Sequence, residues 1–187
     1  MRIPSTPAPS LFTGFTVIEA LLALLIAALL LGTAVPAWSA ASEAARAAEA
    51  RTLLQSTLDV AIRHSLVTGS EVVMCPGDGT GCRDSFDWSG GWVAWADIDG
   101  DRRRDPAETL LREAGALSGE VHLRSSTGRR RLVLQPHGGA AAGTNATFTL
   151  CDGRGTAKAV ALVLANSGRL RSARPAAAAA RACMEAP

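Results

Sequence analysis

The chain has 187 residues, and its 19 basic and 17 acidic side chains leave a net charge of +2, which gives no strong electrostatic direction. Four phenylalanines, four tryptophans and no tyrosine leave a core to be built mainly from Val, Leu and Ala. The length suffices for one membrane helix and one globular domain of about 110–120 residues.

The N-terminal stretch carries one basic side chain, Arg2, and three prolines, Pro4, Pro7 and Pro9. It is followed by Gly14-Phe15-Thr16-Val17-Ile18-Glu19 and then by a run from Ala20 to Pro36 without any charge. Phe15 to Trp38 is long enough to span the ~30 Å hydrocarbon core of a bilayer. An acid at bilayer depth costs about 2.5–3.5 kcal/mol on insertion scales, so Glu19 at the head of this run marks a function. A secretory signal would place its cleavage site after the apolar run, and Val35-Pro36-Ala37-Trp38-Ser39-Ala40 is Ala-rich enough to serve. Glu19 would have no use in a discarded peptide, and a plain anchor gains nothing from it either.

The segment Gly14 to Leu22 resembles the prepilin-peptidase site of type IV pilins and type II secretion pseudopilins. That resemblance implies that residues 1–14 are a leader cut off after Gly14 by the prepilin peptidase, which also N-methylates the new terminus, Phe15. Glu19 and Pro36 both fall where the family pattern expects them. The resemblance makes 15–38 the transmembrane and assembly half of a long helix, anchored once in the inner membrane. In a filament, Glu19 can meet the terminal amine of a neighbouring subunit's Phe15. An opposite charge there restores the ionised form and favours one axial register. Pro36, inside the helical pattern, removes one hydrogen bond and predicts a kink or a local opening.

Residues 39–68 continue the helix onto the globular domain. Ala45, Ala48, Thr52, Gln55, Leu58, Ile62 and Leu66 suggest a stripe, with Leu53, Leu54, Leu58, Ala61 and Ile62 facing the domain. Glu43, Arg46, Glu49 and Arg51 are expected in solvent, with Glu43 and Arg46 spaced to pair. Gly69 supplies the stop. From there residues 69–187 read as a β-rich periplasmic domain. Strands are predicted over Ser70–Cys75, Gly91–Ile98, Thr109–Glu113, Val121–Arg124, Arg131–Gln135, Thr147–Cys151 and Lys158–Ala165. Pro136–Asn145 reads as a flexible loop, and the Ala-rich tail from Arg174 to Arg181 as a short helix. The fold class is therefore α+β and pilin-like, a long N-terminal helix on an antiparallel sheet.

Cys75, Cys82, Cys151 and Cys183 lie in the part this topology exports, where an even count reads as two disulfides. Three pairings are open; proximity favours Cys75–Cys82, and the habit of a C-terminal cysteine to pin a tail favours Cys151–Cys183. A four-cysteine zinc site would need closer pairs than any present. Met74-Cys75-Pro76, Trp88-Ser89-Gly90-Gly91-Trp92, the acidic turn at Asp97–Asp101, Thr149-Leu150-Cys151-Asp152 and Ser167-Gly168-Arg169-Leu170-Arg171 occur in that order. Together they resemble the GspH/FimT group of minor pseudopilins. The group's type II secretion members sit near the tip of a periplasmic pseudopilus. Its FimT members are minor components of type IV pili, where a C-terminal Gly-Arg-x-Arg element is associated with DNA capture. The resemblance implies other pilins or pseudopilins as partners and, on the FimT branch, double-stranded DNA.

No catalytic set is visible and no cofactor is expected. His64, His122 and His137 lie in a helix, a strand and a loop, outside any nucleophile motif, and Ser89 lacks the glycine two residues before it that a nucleophile elbow needs. Trp88, Trp92 and Trp95 read as core. Counting from Asp97, acids fall at the ligand positions 1, 3, 5, 9 and 12 of a calcium loop: Asp97, Asp99, Asp101, Asp105 and Glu108. The glycine required at position 6 is replaced by Arg102, and Arg102 to Arg104 would repel an ion, so a solvated acidic turn is the expectation. Arg169 and Arg171, on one face of a strand-like tail with Arg174 beyond, are spaced to grip two phosphates. Arg129-Arg130-Arg131 is the other basic element. The bland reading of such arginines is a charged edge strand that discourages aggregation.

Overall fold

A computed structural model describes residues 14–137 and 145–185. The chain forms two compact units, one up to Ser39 and one from Ala40. Helix α1, Val17–Thr68, runs through both, and its helical backbone continues on either side of Pro36. The predicted local opening does not appear there. Proline forfeits one N–H donor, and the helix continues past it although Gly32, Thr33 and Val35 beside it are weak helix formers; only Ala34, Ala37, Ala40 and Ala41 favour it.

In the first unit every side chain from Val17 to Trp38 is exposed. By length and apolar composition this is a helix able to cross a membrane.

In the second unit, α1 lays Ala47, Ala50, Leu54, Thr57, Leu58, Ala61 and Ser65 into the domain. That stripe differs from the predicted one: Ala45, Ala48, Thr52, Gln55 and Leu66 are exposed, and Leu53 is 39% exposed. Alanine covers several faces of this helix, so apolar periodicity cannot choose among them, and the partner surface decides. Glu43 also departs from expectation. Its side chain is only 15% exposed, with Oε1 paired to Arg46 Nη1 at 2.6 Å.

The strands that follow are β1 (Glu71–Asp78), β2 (Gly81–Cys82), β3 (Trp92–Asp97), β4 (Leu110–Ala114), β5 (His122–Ser125), β6 (Leu132–Leu134), β7 (Ala146–Cys151), β8 (Val160–Leu164) and β9 (Leu170–Ala173). Helix α2 covers Ala177–Met184. The strands make two antiparallel sheets where one was expected. One runs β2-β1-β3-β4 with β6 also on β1, the other β5-β7-β8-β9. The predicted start of β8 at Lys158 is instead a 3-10 turn, Thr156–Lys158. The expected loop Pro136–Asn145 lies mostly outside the described residues.

Period-two alternation on β1 sends Val72 and Met74 to one face and Val73 and Cys75 to the other. Val72 and Met74 join Leu54, Leu58 and Ala61 of α1, Trp92 and Ala94 of β3, and Phe148, Leu162 and Leu164 of the second sheet in the main core. Val73, Cys75, Val93, Trp95 and Val133 form a second cluster on the opposite face. The Ser65 hydroxyl lies within 2.8 Å of the Ser70 carbonyl and 3.3 Å of the Leu134 carbonyl, tying the end of α1 to β6.

Candidate assembly, anion and cation sites

At the head of α1, Thr16 precedes the first helical residue and its Oγ1 accepts the backbone N–H of Glu19 at 3.3 Å. This is half of a capping box, and Glu19 stands at the position the box assigns to an acid. The Glu19 carboxylate itself has no hydrogen bond or ion pair among the described residues. Phe15, beside it, is 83% exposed, and Gly14 is exposed and non-helical.

Both cysteine pairs are joined. Cys75–Cys82, with an S–S distance of 2.07 Å, staples β1 to β2; Cys151–Cys183, at 1.99 Å, fixes α2 to β7. Cys183 is fully buried with Cys151, Ala159 and Ala180, and the guanidinium of Arg124 donates to the Ala182 carbonyl at 2.6 Å. Trp88, Trp92 and Trp95 are fully buried. Trp88 meets Phe148 edge-on at 5.0 Å, and Trp92 Nε1 donates to Thr57 Oγ1 at 3.1 Å. Gly91, between them, has φ +103, and a Cβ there would stand 2.5 Å from the Ala114 carbonyl oxygen. The WSGGW segment is therefore a packing motif.

The C-terminal arginines sit on a hairpin. Ala165 N–H donates to Arg169 O at 3.0 Å and Gly168 N–H to Ala165 O at 2.9 Å, closing a short turn with Gly168 at φ +77. Register then pairs Leu164 with Leu170 and Val163 with Arg171. Leu170 turns inward, half-buried, while Arg169, in the turn before β9, and Arg171, on that edge strand, are exposed. Neither guanidinium has a hydrogen bond or ion pair among the described residues. Arg174 is exposed beside Pro175 and Arg181. The Arg129–Arg131 run is different. Arg129 donates to Asn145 O at 2.8 Å; Arg130 pairs with Asp84 and covers the Phe86 ring at 4.7 Å; Arg131 donates to Arg102 O at 3.1 Å.

The acidic turn after β3 is solvated only in part: Asp99, Asp101 and Asp105 are exposed as expected, but its first and last acids are not. Asp97 is 2% exposed and Glu108 7%. Asp97 Oδ1 accepts the N–H groups of Gly100 at 3.0 Å and Arg102 at 3.4 Å; Glu108 accepts those of Ile98 and Asp105, both at 3.0 Å. These bonds pull the two acids inward because the backbone of the turn needs acceptors there. Asp97 Oδ2 is buried with no partner. Ligand oxygens of Asp97, Asp99 and Glu108 lie within 4.8 Å of one another, whereas Asp101 and Asp105 are outside this group and exposed. Burial pushes the Asp97 carboxyl above its ordinary range, the N–H groups of Arg102 and Gly100 oppose this, and the Glu108 and Asp99 charges add to it. Arg102, where the loop pattern asks for glycine, adopts the left-handed φ of +60.

One feature escaped the sequence reading. Asp152, 2% exposed, takes Arg154 Nε on Oδ1 at 2.8 Å and Nη2 on Oδ2 at 2.7 Å, a bidentate pair just after β7. Only the Asp-Gly-Arg spacing hints at it. His64 and His122 are half-buried and His137 exposed, and they lie on separate elements.

A long N-terminal helix, its first turns apolar and bare, followed by two antiparallel sheets, defines a pilin-like subunit. The fold is similar to that of the type IV minor pilin FimU of Pseudomonas aeruginosa PAO1 in two crystal forms. One matches at 15% identity and TM-score 0.53, covering 75% of this chain and 92% of that one; the other at 16% and 0.50, covering 72% and 93%. No curated protein matches. Residues 50–168 match the family described as Type II transport protein GspH, and the chain belongs to that family.

Proposed function

We propose that this chain is a non-enzymatic minor pseudopilin. It is cut after Gly14, methylated on Phe15, held by residues 15–38 in the inner membrane with its β-rich domain in the periplasm, and built into a type IV pilus or type II secretion pseudopilus. The observation that carries the reading is the unpaired Glu19 carboxylate at the head of a bare apolar helix. Such an acid is costly in lipid unless a partner arrives from outside the chain, and the terminal amine of a neighbour's Phe15 is a partner of the right charge at the right depth. Membership of the GspH family and the minor-pilin fold support the same role. Glu19→Ala lowers the cost of membrane residence and deletes the register contact. It should leave processing and membrane retention normal while recovery in sheared, cross-linked filaments falls; unchanged incorporation would refute Glu19 as the docking group.

A second reading is favoured by the contrast between the two basic elements. The Arg129–Arg131 side chains are spent on contacts within the domain, whereas Arg169 and Arg171 are uncommitted on an exposed edge. In this reading they hold two phosphates of duplex DNA without reading sequence. With Arg169→Ala plus Arg171→Ala in the detergent-solubilised chain, affinity should fall for every duplex tested. The slope of log K against log salt should shrink by about two. An equal loss from Arg129→Ala plus Arg131→Ala would reduce the effect to diffuse surface charge.

A further inference from the structure

We propose that Asp97, Asp99 and Glu108, on the loop between β3 and β4, bind a calcium ion. Three carboxylates converge to within 4.8 Å, and two of them are almost completely buried. Carboxylates so close repel one another, and burial removes the water that would screen them. Backbone N–H groups satisfy Asp97 Oδ1 and both oxygens of Glu108, yet the buried Asp97 Oδ2 is left with no partner. A buried polar atom without a partner costs free energy, and in a native fold calls for a water or an ion.

A cation supplies what Asp97 Oδ2 lacks. Each ionised carboxylate oxygen keeps a second lone pair, so the Glu108 oxygens ligate without giving up their N–H bonds. Only oxygen donors are present, which selects a hard ion. Three carboxylates supplying several oxygens suit calcium, which takes six to eight, better than magnesium, which keeps its waters and demands octahedral regularity. The three side chains are also the loop positions 1, 3 and 12 of a calcium-binding order, and Arg102 at position 6 already has the left-handed backbone for which glycine is otherwise used. Of the neighbouring arginines, Arg102 reaches toward Glu71 at 3.7 Å, Arg103 is exposed, and Arg104 is half-buried with Nε and Nη1 lacking a hydrogen-bond partner. Among the described residues no basic side chain forms an ion pair with Asp97, Asp99 or Glu108.

Equilibrium dialysis of the detergent-solubilised full chain against calcium chloride, after removal of metals with a chelator, tests the site. One calcium per chain is expected, with calcium raising the unfolding temperature. Asp97→Asn should weaken binding by about tenfold or more, the scale on which loss of ligand charge tunes such loops. Because Asp97 also orders the turn, Asp99→Asn is the second variant: its carboxylate is exposed and bonds only the Asp101 N–H, at 3.1 Å, so the fold should survive. It should show the same weakening and lose the calcium-dependent shift, while Asp59→Asn on α1 changes neither. No binding up to about 1 mM calcium, the weak limit for extracellular modules, would overturn the proposal. So would binding unchanged in Asp99→Asn, or binding of magnesium without calcium.

Discussion

Removing the Cys151–Cys183 bridge by Cys151→Ala plus Cys183→Ala should cost far more than its place near the C-terminus suggests. The two cysteines are 32 residues apart in sequence, and the loop-entropy relation assigns about 3.7 kcal/mol to closing such a loop in the unfolded chain. For Cys75–Cys82, separated by 7, the same relation gives about 2.4 kcal/mol. The loss also has a location. Helix α2 has 8 residues, well below the ~12–15 at which a helix stands alone in water. Its other attachments are the buried Ala180 and the Arg124 bond to Ala182 O. Without the bridge, amide exchange at Ala180–Met184 should approach that of an unfolded segment, while β7 and β8 stay protected. The assay is urea unfolding of the detergent-solubilised chain with both double variants, joined to hydrogen exchange resolved on α2. If the short-loop variant loses as much stability as the long-loop one, loop closure is not the source. If α2 keeps its protection, the bridge is not what holds the tail.

Thr57→Val keeps the shape of the α1 stripe but strands Trp92 Nε1 in the core, so about 1–3 kcal/mol should be lost in urea unfolding. Gly91→Ala forces a side chain into a positive-φ position against the Ala114 carbonyl, and low recovery of folded protein is expected. Asp152 sets an acid limit. Its carboxyl is held below the ordinary range first by the Arg154 side-chain bonds, against the opposing effect of burial. A depressed folded value means that this stabilisation is complete above the unfolded value of about 3.9 and disappears as pH falls through the folded one. The urea midpoint of the parent chain should therefore drop below about pH 4, and Arg154→Ala should flatten that drop.

The signals that were legible in the sequence are local ones. The uncharged run from Ala20 to Pro36, the glycine after Thr68 and the apolar runs at Val72–Val73 and Val160–Leu164 fix their elements through short-range physics. The division into two sheets was not legible, because a four-residue strand such as Leu170–Ala173 carries no mark of the partner it will pair with. The α1 stripe was misplaced by alanine, which is equally content on either face. The acidic turn was legible only in part: five acids and three arginines in twelve residues look solvated, and three of the acids are. Burial of Asp97 and Glu108 follows from which backbone N–H groups the turn leaves open, and that appears only in three dimensions. That the Arg129–Arg131 side chains are engaged by Asn145, Asp84 and the Arg102 carbonyl, while Arg169 and Arg171 stay exposed, could not be read from spacing.

The most direct test of the pseudopilin account is the N-terminus of the chain recovered from membranes, by intact mass and N-terminal sequencing. The account predicts a chain that begins at N-methylated Phe15 and keeps its apolar helix, and an uncut precursor when Gly14 is substituted. A terminus near Ala40 or Ala41, with the helix removed, would contradict it.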